Sequence, residues 1–299
     1  MVKTKSKVKM CREDRVFYAI VYIFLFLLAV IVAFPLIHIL SASFSSADAV
    51  MAGKVILTPK EFTLEGYKAV FRNDSVILGY RNSLFYVVVG TVINLFMTLC
   101  AAYSLSRRDL PGGGIIMMLF TFTMVFSGGM ITTYILVSNL RLLNTVWAML
   151  LPGAMTVYNM IITRTFFRNN IPLELWEAAQ VDGCSDLYFF WKVVLPLSKS
   201  IIAVITLYYA IGHWNSYFDA FLYLTNRQLF PLQIFLREIL VVNQVDISMV
   251  MDEMAEAKMA LSELLKYSLI VVSVVPVLII YPFVQKHFVK GVMVGSIKG

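Results

Sequence analysis

Six long apolar stretches divide the chain, at residues 16–40, 80–105, 114–137, 145–167, 195–218 and 267–283. Crossing the hydrocarbon takes about 20 mainly apolar residues, and each stretch is near or above that length. Lipid offers backbone groups no partner, so each is expected to be a helix. The pattern predicts an all-α polytopic membrane protein with six transmembrane helices. A basic tail over 1–15 precedes the six-helix domain over 16–285, and a second tail follows over 286–299. Pro35, Pro152 and Pro276 lie in or near the apolar stretches and are expected to kink or bound their helices.

The polar segments between the stretches carry the orientation. Positive charge gathers in the N-terminal tail (Lys3, Lys5, Lys7, Lys9, Arg12, Arg15), at Arg107-Arg108, over 164–199, and from Lys286 to Lys298. With six spans these all fall on one side, and the positive-inside rule makes that side cytoplasmic, both termini included. The outer segments differ. Residues 41–79 mix signs, and residues 219–266 hold Asp246, Asp252, Glu253, Glu256 and Glu263. Pro59 to Arg72, with Phe62, Leu64, Tyr67, Val70 and Phe71 among polar residues, reads as a short amphipathic helix, either interfacial or facing an external partner. Asp252 to Lys266 reads as a helix leading into the last span.

Composition agrees: 60% of 299 residues are hydrophobic, 14% are charged, and mean hydropathy is +0.79. The net charge of +7 lies at the ends of apolar runs, which favours orientation over nucleic-acid binding. Cys11, Cys100 and Cys184 are scattered and suggest neither disulfides nor zinc. The first stretch is too long for a signal-peptide core and reads as a retained anchor.

One polar segment has an ordered spacing. Glu177-Ala178-Ala179 is followed after three residues by Gly183, and after nine more by Val193-Val194-Leu195-Pro196. It resembles the EAA loop of bacterial ABC importer permeases, with Val193 where isoleucine is usual. Further matches are Arg164-Thr165-Phe166-Phe167, the run from Gly212 to Phe218, Phe230-Pro231-Leu232-Gln233, Leu236-Arg237-Glu238 and the tail from Lys290 to Gly299. These resemble the carbohydrate-uptake (MalG-like) permeases, in their LplC/YtcP-like branch.

The resemblance implies a type I importer permease in the bacterial plasma membrane. It also implies four kinds of partner: a second homologous permease, two cytoplasmic ATPase subunits, an extracytoplasmic solute-binding protein and the sugar. ATP and Mg²⁺ would sit on the ATPase, with no cofactor on this chain. The loop, about 169–199, would be the coupling helix, with Trp176, Glu177, Ala178, Ala179, Asp182, Gly183, Leu195 and Pro196 as contacts. The residues allow this. Pro172 suits a helix start, Glu174 and Glu177 favour its N-terminus, and Gly183 suits a left-handed cap. Leu173, Leu175, Trp176 and Ala179 would form an apolar side for a partner's groove, and Leu195-Pro196 would begin the next span rigidly. The tail Gly291 to Gly299 would enter the ATPase interface.

Signs of catalysis are missing. His38, His213 and His287 have no histidine partner at ligand spacing, and Gly112-Gly113-Gly114 lacks a phosphate-loop lysine and reads as a flexible turn. The stretches contain no paired acids for a proton-driven carrier. A sugar path calls for aromatic faces beside amides or hydroxyls. Tyr158 and Asn159 in the fourth stretch, and Tyr208, Trp214, Asn215 and Tyr217 in the fifth, fit, with Asn215 two helical turns from Tyr208 and Trp214 flanking that face. Trp214 and Tyr217 fit an interfacial belt equally well. A permease for a non-sugar solute, or a membrane scaffold without a conduit, stays open at this point.

Overall fold

The structure is a computed structural model and describes residues 11–242 and 263–282. Every regular element among these residues is helical. The N-terminal residues through Met10, the expected helix from Asp252 up to Ser262, and the tail from Phe283 to Gly299 lie outside them. The described residues form two compact units, one over 11–70 and 263–272, the other over 71–242 and 273–282.

In the first unit, α1 (Arg12–Ser43) leaves apolar side chains exposed on every side, Phe26 and Ile31 by 68% and 72%. A helix apolar all round needs lipid or another subunit about it. Pro35 lies inside this continuous helix. The last turn is polar and buried: Ser41 Oγ donates to Leu57 O (2.7 Å), and Ser43 Oγ shares a hydrogen bond with Tyr67 Oη (2.8 Å). A short helix, α2 (Ala47–Met51), follows under a Ser46 cap.

The amphipathic helix expected from Pro59 begins only at Glu65, as α3 (Glu65–Arg72). Upstream, Lys60 N donates to Ser45 Oγ (3.0 Å), Thr63 N donates to Phe44 O (3.0 Å), and Glu61 sits at φ +51°. Those bonds tie the backbone to the end of α1 and leave none for a helix. Gly66 allows α3 to meet the last described helix, α14 (Glu263–Pro282), since a Cβ there would overlap Ser268 Oγ.

The second unit is built on α4 (Asp74–Ser106), about 50 Å long at 1.5 Å per residue. Asn73 caps it, its Oδ1 accepting from Ser75 N (3.0 Å). Ser83, Tyr86, Gly90, Asn94, Thr98, Ala102 and Leu105 are buried at steps of three or four, which makes one stripe. The stripe packs on α8 (Val157–Asn170), α11 (Lys199–Trp214) and α13 (Leu232–Arg237). Leu99, Ala102 and Leu105 meet Met160, Phe167, Ile201 and Ile205 in its apolar core.

Polar pairs join the same helices and the turn before α8. Thr98 Oγ1 and Tyr209 Oη lie 2.6 Å apart, and Tyr209 Oη accepts from Thr156 N (3.2 Å). Asn94 donates to Gly153 O, and its amide oxygen accepts from His213 Nε2 (2.6 Å). An amide oxygen can only accept, so the histidine proton is on Nε2.

Three expected spans are broken, the fourth at the proline expected to kink or bound it. The third is two helices, α5 (Gly113–Val125) and α6 (Gly129–Asn139), bent by 112°. Gly129 takes φ +81° at the bend, which a side chain would oppose. The fourth is α7 (Val146–Leu150) and α8, separated by a turn at Pro152-Gly153. The fifth bends by 84° at Ser198, between α10 (Asp186–Leu197) and α11, and ends at Trp214 rather than Phe218. Leu195-Pro196 therefore does not begin that span rigidly. It closes α10, after a π-helical stretch from Phe190 to Val194, and proline, having no N–H, gives the carbonyls of the preceding turn no donor. Pro276 leaves α14 continuous. The described residues thus hold three helices of membrane-spanning length and two bent pairs.

Candidate functional site

The segment with the ordered spacing is α9 (Leu173–Val181), entered through Pro172 as its N-cap. Gly183 N donates to Gln180 O (3.0 Å) and Cys184 N to Ala179 O (2.8 Å), with Gly183 at φ +72°. Those paired bonds form a Schellman cap, and the left-handed residue is the glycine of the spacing. Ser185 then caps α10, its Oγ accepting from Tyr188 N (3.3 Å).

The apolar side assigned to a partner divides in two. Trp176 and Ala179 turn inward and pack against the buried core. Leu173 and Leu175 stay outward at 42% exposure each, joined by Val181 at 89%. Tryptophan faces inward because a cation holds it. Arg107, just past the end of α4, has its guanidinium carbon 3.7 Å from the centre of the Trp176 ring. Arg107 also donates two bonds to Asp109 (both 2.9 Å) and lies 3.3 Å from Asp186. The Trp176 indole N–H donates to Asp186 Oδ1 (3.1 Å). The hydrogen bonds from Arg107 hold the Asp109 carboxyl below the usual carboxylate range.

A cation on an indole face contributes about 0.5–2 kcal/mol, depending on burial. More important is what it connects: the end of α4, the middle of α9 and the start of α10. The sequence showed Arg107 only as charge, and Asp109 and Asp186 not at all, because their partnership is long-range. Around this clamp Leu187, Tyr188 and Trp191 are exposed by 74%, 59% and 58%, a second apolar surface that follows Val181 after the polar turn of residues 182–186. A cleft of about 380 Å³ opens beside α9, between Arg107, Arg168 and Glu174.

The six residues expected on a sugar path do not gather. Trp214 is buried, its N–H donating to Ser273 O (3.0 Å), so it packs helices and does not flank Asn215. Asn159 is buried on α8, while its neighbour Tyr158 is 55% exposed. Tyr208 on α11 and Asn215, the residue just past its end, are both exposed. Tyr217 stacks on Phe221 beyond the end of α11.

The family described as "Binding-protein-dependent transport system inner membrane component" matches residues 75–294. The chain is 43% identical over 287 residues to the polygalacturonan/rhamnogalacturonan transport system permease protein YtcP of Bacillus subtilis, covering 96% of this chain and all of that one. It is 39% identical to protein LplC of the same organism, over 96% and 97% of the two chains. The arabinooligosaccharides transport system permease protein AraQ of Halalkalibacterium halodurans is 28% identical, over 91% and 93%. A crystal structure of a bacterial ABC transporter involved in the import of the acidic polysaccharide alginate superposes with a TM-score of 0.86. Its matched chain is 33% identical, and the match covers 94% of this chain and all of that one.

Proposed function

The chain belongs to the family of binding-protein-dependent transport system inner membrane components, and from that premise we propose that it is a permease subunit of an ATP-driven importer of oligosaccharides. One observation carries the coupling part of the reading. The helix α9 is closed by a left-handed glycine, clamped to α4 through Trp176 and Arg107, and leaves Leu173, Leu175 and Val181 outward. An ATPase gripping that outward side would move α9, and the clamp would pass the movement to the end of α4. The buried stripe of α4 carries it along the helix toward Asn94 and Thr98. ATP and Mg²⁺ belong to two such ATPases, a second homologous permease completes the path, and a binding protein delivers the sugar. The relatives named for polygalacturonan and arabinooligosaccharides support sugar as the solute.

Uptake tests the reading directly. In cells lacking this chain but keeping its partners, import of labelled oligosaccharides of galacturonic acid or arabinose should fall to background and return with the full chain. Undiminished import of every such sugar would remove it.

The charge distribution supports a cytoplasmic location for both termini and α9. With Cys11, Cys100 and Cys184 replaced, Lys60→Cys should react with an impermeant thiol reagent added to intact cells. Leu187→Cys, at an exposed site beside α9, should react only after permeabilisation. Labelling of both from outside would overturn the arrangement.

A further inference from the structure

We propose that the end of the second unit remote from α9 holds an entry site for a sugar bearing a carboxylate, and that Arg237 is the residue that binds the acid. A cleft of about 610 Å³ lies there, lined by Asn73 and Ser75 at the start of α4, and by Phe221, Phe230, Arg237 and Glu238. Ser75 and Arg107 are separated along α4 by about 48 Å, so the cleft and the α9 clamp sit at opposite ends of one membrane-length helix. The volume suits a small ligand, since such sites commonly measure about 300–1,000 Å³.

The two arginines in and around this cleft are not equivalent. Arg227 donates to Glu238 (2.8 Å) and is neutralised by it. Arg237 forms no ion pair among the described residues. It is held instead against aromatic faces, its guanidinium carbon 4.7 Å from the centre of the Phe221 ring and 5.4 Å from that of Tyr217. The cation–π contacts hold the guanidinium in place and leave its planar set of N–H donors without an ion-pair partner among the described residues. This is the fork that matches a carboxylate with two parallel hydrogen bonds. Among the described residues a neutral sugar would leave that charge unanswered, whereas a uronic acid residue answers it. The apolar wall of Val76, Leu224 and Phe230 can cover the C–H face of the ring, with Asn73 and Ser75 near its hydroxyls. A cleft rather than a flat face favours a sugar over an acidic surface of the binding protein.

The inference rests on the reading of the chain as a sugar permease, and the test separates the two. Trigalacturonate and its fully methyl-esterified form share a skeleton and differ in charge. Uptake of each is measured in cells carrying the complete importer, with the amount of chain in the membrane followed by immunoblot. The wild type should import the acid in preference to the ester. Arg237→Gln should lower the acid-to-ester uptake ratio about tenfold, the effect of one lost charge-assisted pair, and Arg237→Lys should restore part of it. An unchanged ratio in Arg237→Gln overturns the proposal. So does an equal fall for both sugars with a higher binding-protein concentration needed to stimulate ATP hydrolysis, which would make the cleft a docking site for that protein. Import of the ester alone by the wild type sinks the acid site but leaves the permease reading standing. Import of neither, nor of any other oligosaccharide, sinks the permease reading.

Discussion

Replacing Gly183 with aspartate is expected to abolish uptake while the chain remains in the membrane at its usual level. The residue sits at φ +72° in the cap that ends α9, where a side chain costs about 1–2 kcal/mol. Nothing lies within 4 Å of a Cβ built there, so the loss cannot come from overpacking inside this chain. Two effects remain: the cap loses its preferred conformation, and a negative charge joins Asp182 and Asp186 on the surface proposed to meet an ATPase. Both act outside the apolar spans, which is why insertion is spared. Gly183→Asn tolerates the left-handed backbone and adds no charge, so it should retain much of the uptake. Measured sugar import with an immunoblot of the membrane fraction decides it. Normal import by the aspartate variant would remove α9 as the coupling element.

The cap shows what a sequence can reveal: a local requirement with a strict residue preference. Gly183 and Pro172 act on their own backbone, and both ends of α9 follow from them. Apolar stretches were equally legible as places, but not as shapes. Hydropathy measures what surrounds a residue, whereas breaks depend on the backbone: Gly128-Gly129, Pro152-Gly153 and Ser198 interrupt stretches that composition draws as continuous. Proline alone does not decide, since Pro35 lies inside unbroken α1.

Direction around a helix was the harder matter. Leu175 and Trp176 differ by one residue, about 100° of rotation, and point to opposite surroundings. Trp214 and Asn215 separate in the same way, one bonded to Ser273 and the other exposed. Which side is inward depends on long-range partners such as Arg107, and nothing near Trp176 in the sequence announces an arginine 69 positions away. The same holds for Asn94, His213 and Gly153, which meet across 119 residues of chain.

That meeting point should be the most sensitive place in the second unit. Gly90 lies against the His213 ring so closely that a Cβ would overlap Nε2, Cε1 and Cδ2 together. The ring is not a flexible side-chain end that can swing aside freely. Its Nε2–H is committed to Asn94, whose amide in turn donates to the carbonyl of Gly153 in the turn between α7 and α8. Gly90→Val therefore carries an overpacking cost of about 1–3 kcal/mol and threatens two buried hydrogen bonds, each worth about 1 kcal/mol. The expected result is a lower thermal-aggregation midpoint for the purified importer and less chain in the membrane. Gly212→Ala is the control, because that glycine has open space where its Cβ would fall. Two readings of a bad Gly90 variant, a clash with His213 or a general dislike of side chains in α4, separate in a double-mutant cycle. His213→Ala removes the ring, so a clash predicts that Gly90→Ala costs far less in that background than alone. Equal costs in both backgrounds would show that α4 and α11 do not meet at Gly90.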